Sequence, residues 1–144
     1  MKKLLKYAVC LAMLVMVLAL FTGCADKATG GGWFYDACSG AKITFGFNAQ
    51  RVERGVYKGQ FQAVNHETGE KFHMSKITDV GALGAVMLNY EGEDKSENYV
   101  NVTVTDMGQP SDYIGDSILI YNEEYGTWAG MLEGGNIQLH EEKD

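Results

Sequence analysis

Proline and cysteine are both scarce in this chain, and each scarcity narrows what it can be. A single proline, Pro110, among 144 residues leaves the turns to glycine, of which there are eighteen. Of the three cysteines, Cys10 and Cys24 fall within or at the end of an apolar N-terminal segment. Only Cys38 remains in the body of the chain, so no internal disulfide framework can form. A lone Cys38 is expected to be a small, buried or half-buried residue. Its sequence neighbours Ala37 and Ser39 bring no cation or imidazole to activate the thiol. The short signatures of common catalysts are missing too: there is no G-x-S-x-G, no H-E-x-x-H and no glycine-rich phosphate loop. His66, His73 and His140 stand far apart, without the close pairing typical of a zinc site. No stretch after residue 24 keeps a 3.6-residue apolar period between helix caps.

What is present begins at the N-terminus. Lys2, Lys3 and Lys6 form a basic start, and Tyr7 to Phe21 is an uncharged apolar run. That run has the length of a signal-peptide core and is short for a membrane span. It ends in Leu20-Phe21-Thr22-Gly23-Cys24, followed by the polar Ala25-Asp26-Lys27. This resembles the lipobox of a bacterial lipoprotein, with Phe21 standing where leucine is usual. The resemblance implies a signal peptide over 1–23, removed before Cys24, and a diacylglyceryl thioether on the Cys24 thiol. Two or three acyl chains anchor stably where one is marginal, since each buried methylene contributes about 0.8 kcal/mol. The expected location is therefore the extracytoplasmic face of the cell membrane, with the membrane itself as partner through Cys24. Thr29-Gly30-Gly31-Gly32 makes residues 24–32 read as a lipidated, flexible tether.

Without the three signal lysines, nine Lys and Arg face nineteen Asp and Glu, a net charge of about −10. Such a chain does not seek nucleic acid. Residues 33–144 are one domain's worth, and almost every segment in them alternates with period 2. Ile43, Phe45 and Phe47 share one face, and Val100, Val102 and Val104 share another. Ile137 and Leu139 alternate with Asn136, Gln138 and His140 in a closing strand expected to remove an exposed edge. Turn signals recur between these runs, including an acidic stretch from Glu91 to Glu97. The pattern predicts an all-β fold after an N-terminal signal helix: a single antiparallel β-sandwich or small β-barrel of about 8–10 strands.

Several fragments in order resemble a known family. Thr44 to Ala49 resembles its "TFGFNA" strand, and Tyr57-Lys58-Gly59-Gln60-Phe61 its "KGQ" strand. His73 falls where the next strand often carries a histidine. Val102 to Pro110 resembles "VTVTDNGEPG", Asp116 to Ile120 its "D-x-I-x-I" continuation, and Gly134 to His140 a closing "GGNIQIH". Met107 and Ser111 replace an asparagine and a glycine of that pattern. This set, spanning about Ala41 to His140, is similar to the post-COAP-1-like β domain of bacterial surface and secreted proteins. The resemblance implies a β domain and assigns no activity to any residue.

Two clusters are candidates for binding. Asp106 to Asp116 concentrates three carboxylates, a serine and many carbonyls, an oxygen supply of the kind calcium uses, though without the alternate spacing of an EF-hand. Tyrosine and tryptophan are plentiful, including Trp33, Tyr57, Tyr90, Tyr121, Tyr125 and Trp128, and suit a protein or carbohydrate partner at the envelope. The expected function is a non-catalytic, membrane-anchored binding or structural module, not an enzyme and without cofactor or metal. The alternative is a small lipocalin-like barrel carrying an apolar ligand, which would need an interior cavity lined by residues such as Phe45, Phe47 and Met87.

Overall fold

The computed structural model describes residues 25–84, 86–108 and 115–141. Residues 1–24, which hold the expected signal helix and Cys24, residue 85, residues 109–114 and the last three residues lie outside the described residues. Eight strands follow one another: β1 (Ala25–Tyr35), β2 (Lys42–Glu53), β3 (Val56–Asn65), β4 (Lys71–Ala82), β5 (Met87–Asp94), β6 (Tyr99–Thr105), β7 (Ser117–Asn122) and β8 (Gly126–Glu141). Each pairs antiparallel with the next, and β8 pairs back onto β1 to close a barrel. Closure is what decides barrel over sandwich, since every strand is paired on both sides over at least part of its length.

The period-2 pattern now has a direction. Ile43, Phe45, Phe47 and Ala49 of β2 point inward, as do Val100, Val102 and Val104 of β6 and Ile118 and Ile120 of β7. Each fully buried side chain of this kind stabilises the fold by roughly 1.5–3 kcal/mol. The strands are strongly staggered. Register runs from Gly30 through Phe47, Phe61 and Met74 to Asp94, from the middle of β1 to the far end of β5. A closed sheet requires such tilt.

The upper end of the barrel carries the β1–β2, β3–β4, β5–β6 and β7–β8 loops. The lower end carries the other three loops and both ends of the barrel chain, Ala25 and Glu141, which pair with each other. Each upper loop is opened by a buried aspartate or asparagine: Asp36, Asn65, Asp94 and Asn122. Each of these side chains accepts a backbone N–H from the turn that follows it. Ser39 donates to Asp36 (2.9 Å), Glu67 to Asn65 (2.9 Å), Ser96 to Asp94 (2.8 Å) and Glu124 to Asn122 (2.8 Å). Such local acceptors satisfy turn N–H groups that no ladder reaches.

Residues 25–32, expected as a tether, belong instead to β1. They pair with β2 on one side and β8 on the other. The glycines there serve close approach rather than flexibility. Gly32 and Gly135 lie opposite each other across the β1–β8 seam, and a β-carbon at Gly32 would collide with the Gly134 carbonyl oxygen. One at Gly135 (φ +100°) would meet the Gly31 carbonyl and adopt a backbone shape that only glycine takes readily. The acidic stretch is corrected as well: β5 continues through Glu91 to Asp94, and only residues 95–98 turn. The closing strand expected over Asn136 to His140 is the second half of one long β8 that begins at Gly126.

β8 is longer than either neighbour. Its first half, Gly126 to Met131, pairs with β7, and its second half, from Leu132, pairs with β1. The sides left open are filled by loops. The Ala129 N–H donates to Asp36 (2.9 Å) and the Ala129 carbonyl accepts from Ala37 (2.8 Å). Lower down, Leu132 donates to the Asp116 carbonyl, Ile137 to the Asp116 carboxylate (2.8 Å) and Leu139 to the Asp106 carboxylate (3.0 Å). Aspartate oxygens thus take the place of a strand carbonyl where β7 has ended.

Candidate functional site

The interior comes first, because a carrier would use it. It is occupied by aromatic rings in contact. Phe47 lies 5.6 Å from Tyr90, Phe61 5.7 Å from Phe72, and Phe72 5.8 Å from Trp128, centroid to centroid. Phe45 joins the same set through Phe34, Phe47 and Phe61. Met87, expected to line a cavity with Phe45 and Phe47, sits half-buried against the outer wall beside Thr105 and Met131. One polar atom in the core stands alone. The Tyr90 hydroxyl is fully buried without a hydrogen-bond partner among the described residues. Burial pushes its phenol well above the ordinary value.

A groove of about 400 Å³ opens at the upper end. Its origin is the stagger of β4, whose ladder with β3 covers Lys71 to Met74 while its ladder with β5 begins only at Met74. Above that point β4 and the β5–β6 turn diverge. Phe72 and Tyr125 form the apolar part of the groove, with Lys71, His73, Lys95, Asp94 and Glu124 around it. Tyr125 stacks on Trp128 with ring planes 13° apart and on Phe72 at 26°, so the groove rests on the core.

Electrostatics at this end are acidic and well ordered. Burial pushes the Asp94 carboxyl up, but hydrogen bonds from the Asn122 amide, the Asn98 and Ser96 N–H groups and the Asn98 amide together hold it below its ordinary range. Asp36 behaves alike: burial raises it, while the Ser39 hydroxyl and the Ala129, Ser39 and Cys38 N–H groups carry it lower. The Tyr125 phenol is raised by burial first, then by the charges of Glu124, Asp94 and Glu70. The groove can therefore offer an aromatic face, a neutral phenol, ammonium groups and fixed carboxylates. That combination suits a ring-bearing or hydroxyl-rich surface.

The residues singled out in the sequence are not brought together. His73 contacts Gln60 (3.3 Å), His66 contacts Thr44 (2.9 Å) and His140 contacts Thr29 (3.0 Å); they stand on β4, in the β3–β4 turn and on β8. Cys38 is exposed rather than buried, because it occupies the tip of the β1–β2 turn where the chain leaves the barrel. In the Asp106–Asp116 loop, both carboxylates are turned to backbone N–H groups. Asp106 accepts from Gly108 and Leu139, and Asp116 from Met107 and Ile137. Among the described residues no three His, Cys, Asp or Glu side chains converge in a metal-binding group. Asp112, the third carboxylate, lies outside the described residues. Cys24 does too, so its expected lipid attachment has no geometry to report.

The sequence reading missed the buried Asp and Asn residues that open the upper turns. A signal existed: each stands at the inward register of its strand directly before a turn. No protein family matches the chain, and no curated protein or solved structure does either.

Proposed function

We propose that this protein is an extracytoplasmic lipoprotein, held at the membrane through Cys24, whose barrel is a non-catalytic binding or structural module. The observation that carries the module reading is the filled interior, since touching aromatic rings leave the outer surface as the place for recognition. The upper groove at Phe72 and Tyr125 is the surface we assign to a protein or carbohydrate partner of the envelope, because it joins aromatic faces to both signs of charge. The anchor rests on the sequence ending in Gly23-Cys24 after an apolar run. Cys24→Ser should abolish incorporation of labelled fatty acid and leave the chain unprocessed or released. Normal-sized chain retained in the membrane fraction would refute the anchor. A photo-crosslinker placed at Lys95, beside the groove, should trap an envelope component, whereas one at Gln138 on the outer wall should not.

The carrier reading keeps one supporting observation, the unpartnered Tyr90 hydroxyl inside the barrel. A bound ligand would use it as an anchor. Tyr90→Phe would then lose a co-purifying ligand. In a filled barrel the same change leaves stability equal or raises it by about 1 kcal/mol, because an unmet buried hydroxyl is removed.

A further inference from the structure

The two ends of the barrel differ in what they expose. Among the described loops of the upper end the residues are Asp, Ser, His, Glu, Thr, Lys and Asn with small neighbours and Tyr125; the exposed large side chains at the strand ends there are the phenol-bearing Tyr35 and Tyr99, and no exposed Val, Leu, Ile or Met occurs. The lower end is the reverse. Val52 and Val56 flank the β2–β3 turn, Leu83 and Val86 stand in the β4–β5 loop, and Met107 follows β6. All five are exposed, Leu83 by 56 %. Scattered single apolar residues on a surface need no explanation, but one at every described loop of a single end does.

We infer that the lower end is a membrane-facing rim, with Val52, Val56, Leu83, Val86 and Met107 entering the interface of a lipid bilayer. Two observations choose lipid over another occupant. The first is where the chain goes: β1 starts at Ala25, so Cys24 and the apolar run before it join the barrel at this end and no other. With residues 25–32 built into β1, no slack separates the barrel from that attachment. The second is charge. Both arginines of the chain, Arg51 and Arg54, lie in the β2–β3 hairpin with Lys58, against Glu53 there and Asp79 of β4, which is hydrogen-bonded to Tyr57. That hairpin suits phosphate headgroups, while the acidic upper end is repelled by them. Apolar tips beside basic residues are the pattern by which proteins lie on an interface. The groove at Phe72 and Tyr125 then points away from the membrane.

This inference rests on the anchoring reading, and the test separates the two. In a Cys10→Ala, Cys38→Ser background, single cysteines at Leu83, Val56 and Glu67 carry an environment-sensitive fluorophore. The full chain is studied in bilayers of phosphatidylethanolamine and phosphatidylglycerol, with the lipid on Cys24 checked by mass. Labels at 83 and 56 should be quenched by lipid-borne nitroxide and shielded severalfold from aqueous iodide, relative to the label at 67. Equal access of iodide to all three sites on a lipidated, membrane-bound chain overturns the rim and leaves the anchor standing. If Cys24 carries no lipid and the chain washes off, anchoring fails by itself. The same variants with Cys24→Ser, which keep a single thiol, are then mixed with the same vesicles, where lipid quenching at 83 and 56 upholds the rim and its absence overturns it. Leu83→Asp with Val56→Asp is the second variant. It should weaken vesicle binding about tenfold, a loss of about 1.4 kcal/mol, with an unchanged melting temperature. Unchanged vesicle binding would overturn the rim.

Discussion

The upper and lower ends of the barrel solve the same problem in different ways. Each must finish eight strands and satisfy the backbone groups that a ladder no longer reaches. The upper end does so first within each turn: every turn is short, and a buried Asp or Asn at its start accepts the turn's own N–H groups, while Asp36 also takes the Ala129 N–H of β8 and Asp94 the Asn122 amide of β7. The lower end does so at a distance. Asp106 and Asp116 reach across from the β6–β7 loop to Leu139 and Ile137, more than twenty residues away in sequence. Local closure makes a rigid platform around the groove. Distant closure ties the last strand to the rest of the barrel and leaves the remaining lower loops free to carry exposed apolar tips.

The largest effect should come from breaking the distant closure outright. Deleting residues 136–144 removes the partner of Gly30 and Ala28 and opens β1 as an edge, so the chain should aggregate. Deleting 142–144 should leave a monomer, and light scattering distinguishes the two. A truncation at Gly135 that stayed monomeric with an unchanged melting temperature would show the seam to be dispensable.

Next in size is Gly135→Val, which forces a β-carbon into the Gly31 carbonyl and a branched side chain into positive φ. A loss of about 3 kcal/mol or more in denaturant unfolding is expected, by the combined cost of strain and clash.

Single-carboxylate changes then compare the ends directly. Asp116→Ala strands the buried Ile137 N–H and should cost about 2–3 kcal/mol. Asp36→Ala strands the Ala129 N–H, which is only part-buried and whose residue keeps its bond from Ala37, so it should cost about 1–2 kcal/mol. The reverse order would show that the upper acceptor, Asp36, holds β8 more firmly than the lower one, Asp116.

Acid probes the upper end. Asp36 and Asp94 titrate below their ordinary value of 3.8 in the folded barrel. Their contribution is therefore complete above the unfolded value and lost as pH falls through the lowered folded ones. Stability should fall from about pH 4 downward. Asp36→Asn with Asp94→Asn should flatten that fall, as read by urea midpoints against pH. The smallest effect belongs to the lower tips: Leu83→Asn should move unfolding free energy by no more than about 0.5 kcal/mol, since the side chain is already in water.

Most of the wall was legible in the sequence. Alternation marked β2, β6 and the inward face of β8, because burial on one face of a pleated strand imposes period 2 regardless of the partner. Where the sequence was ambiguous, the missing information was a partner far away. Thr29-Gly30-Gly31-Gly32 reads as slack until Gly134 and Gly135 are seen opposite, since glycine serves looseness and close approach equally. Asp106 and Asp116 read as a loop that could gather a cation, because nothing nearby in sequence says that two β8 amides claim their oxygens. Met87 reads as core by composition, yet the register of β5 turns it to the outer wall. The upper groove was invisible because it arises from the stagger between two ladders of one strand.

The pairing of the first strand with the last also sets the order of events in folding. Seven of the eight strand pairings join neighbours in sequence and close small loops. The eighth joins Ala28 to Leu139. Loop-closure entropy makes such a contact slow and late. The hairpins can assemble as the chain emerges, but the barrel exists only after its final residues arrive. Until then β1, paired only with β2, keeps one side open as a template, so the interval between synthesis and closure is when this protein is most exposed to proteolysis and to pairing with a second copy of itself.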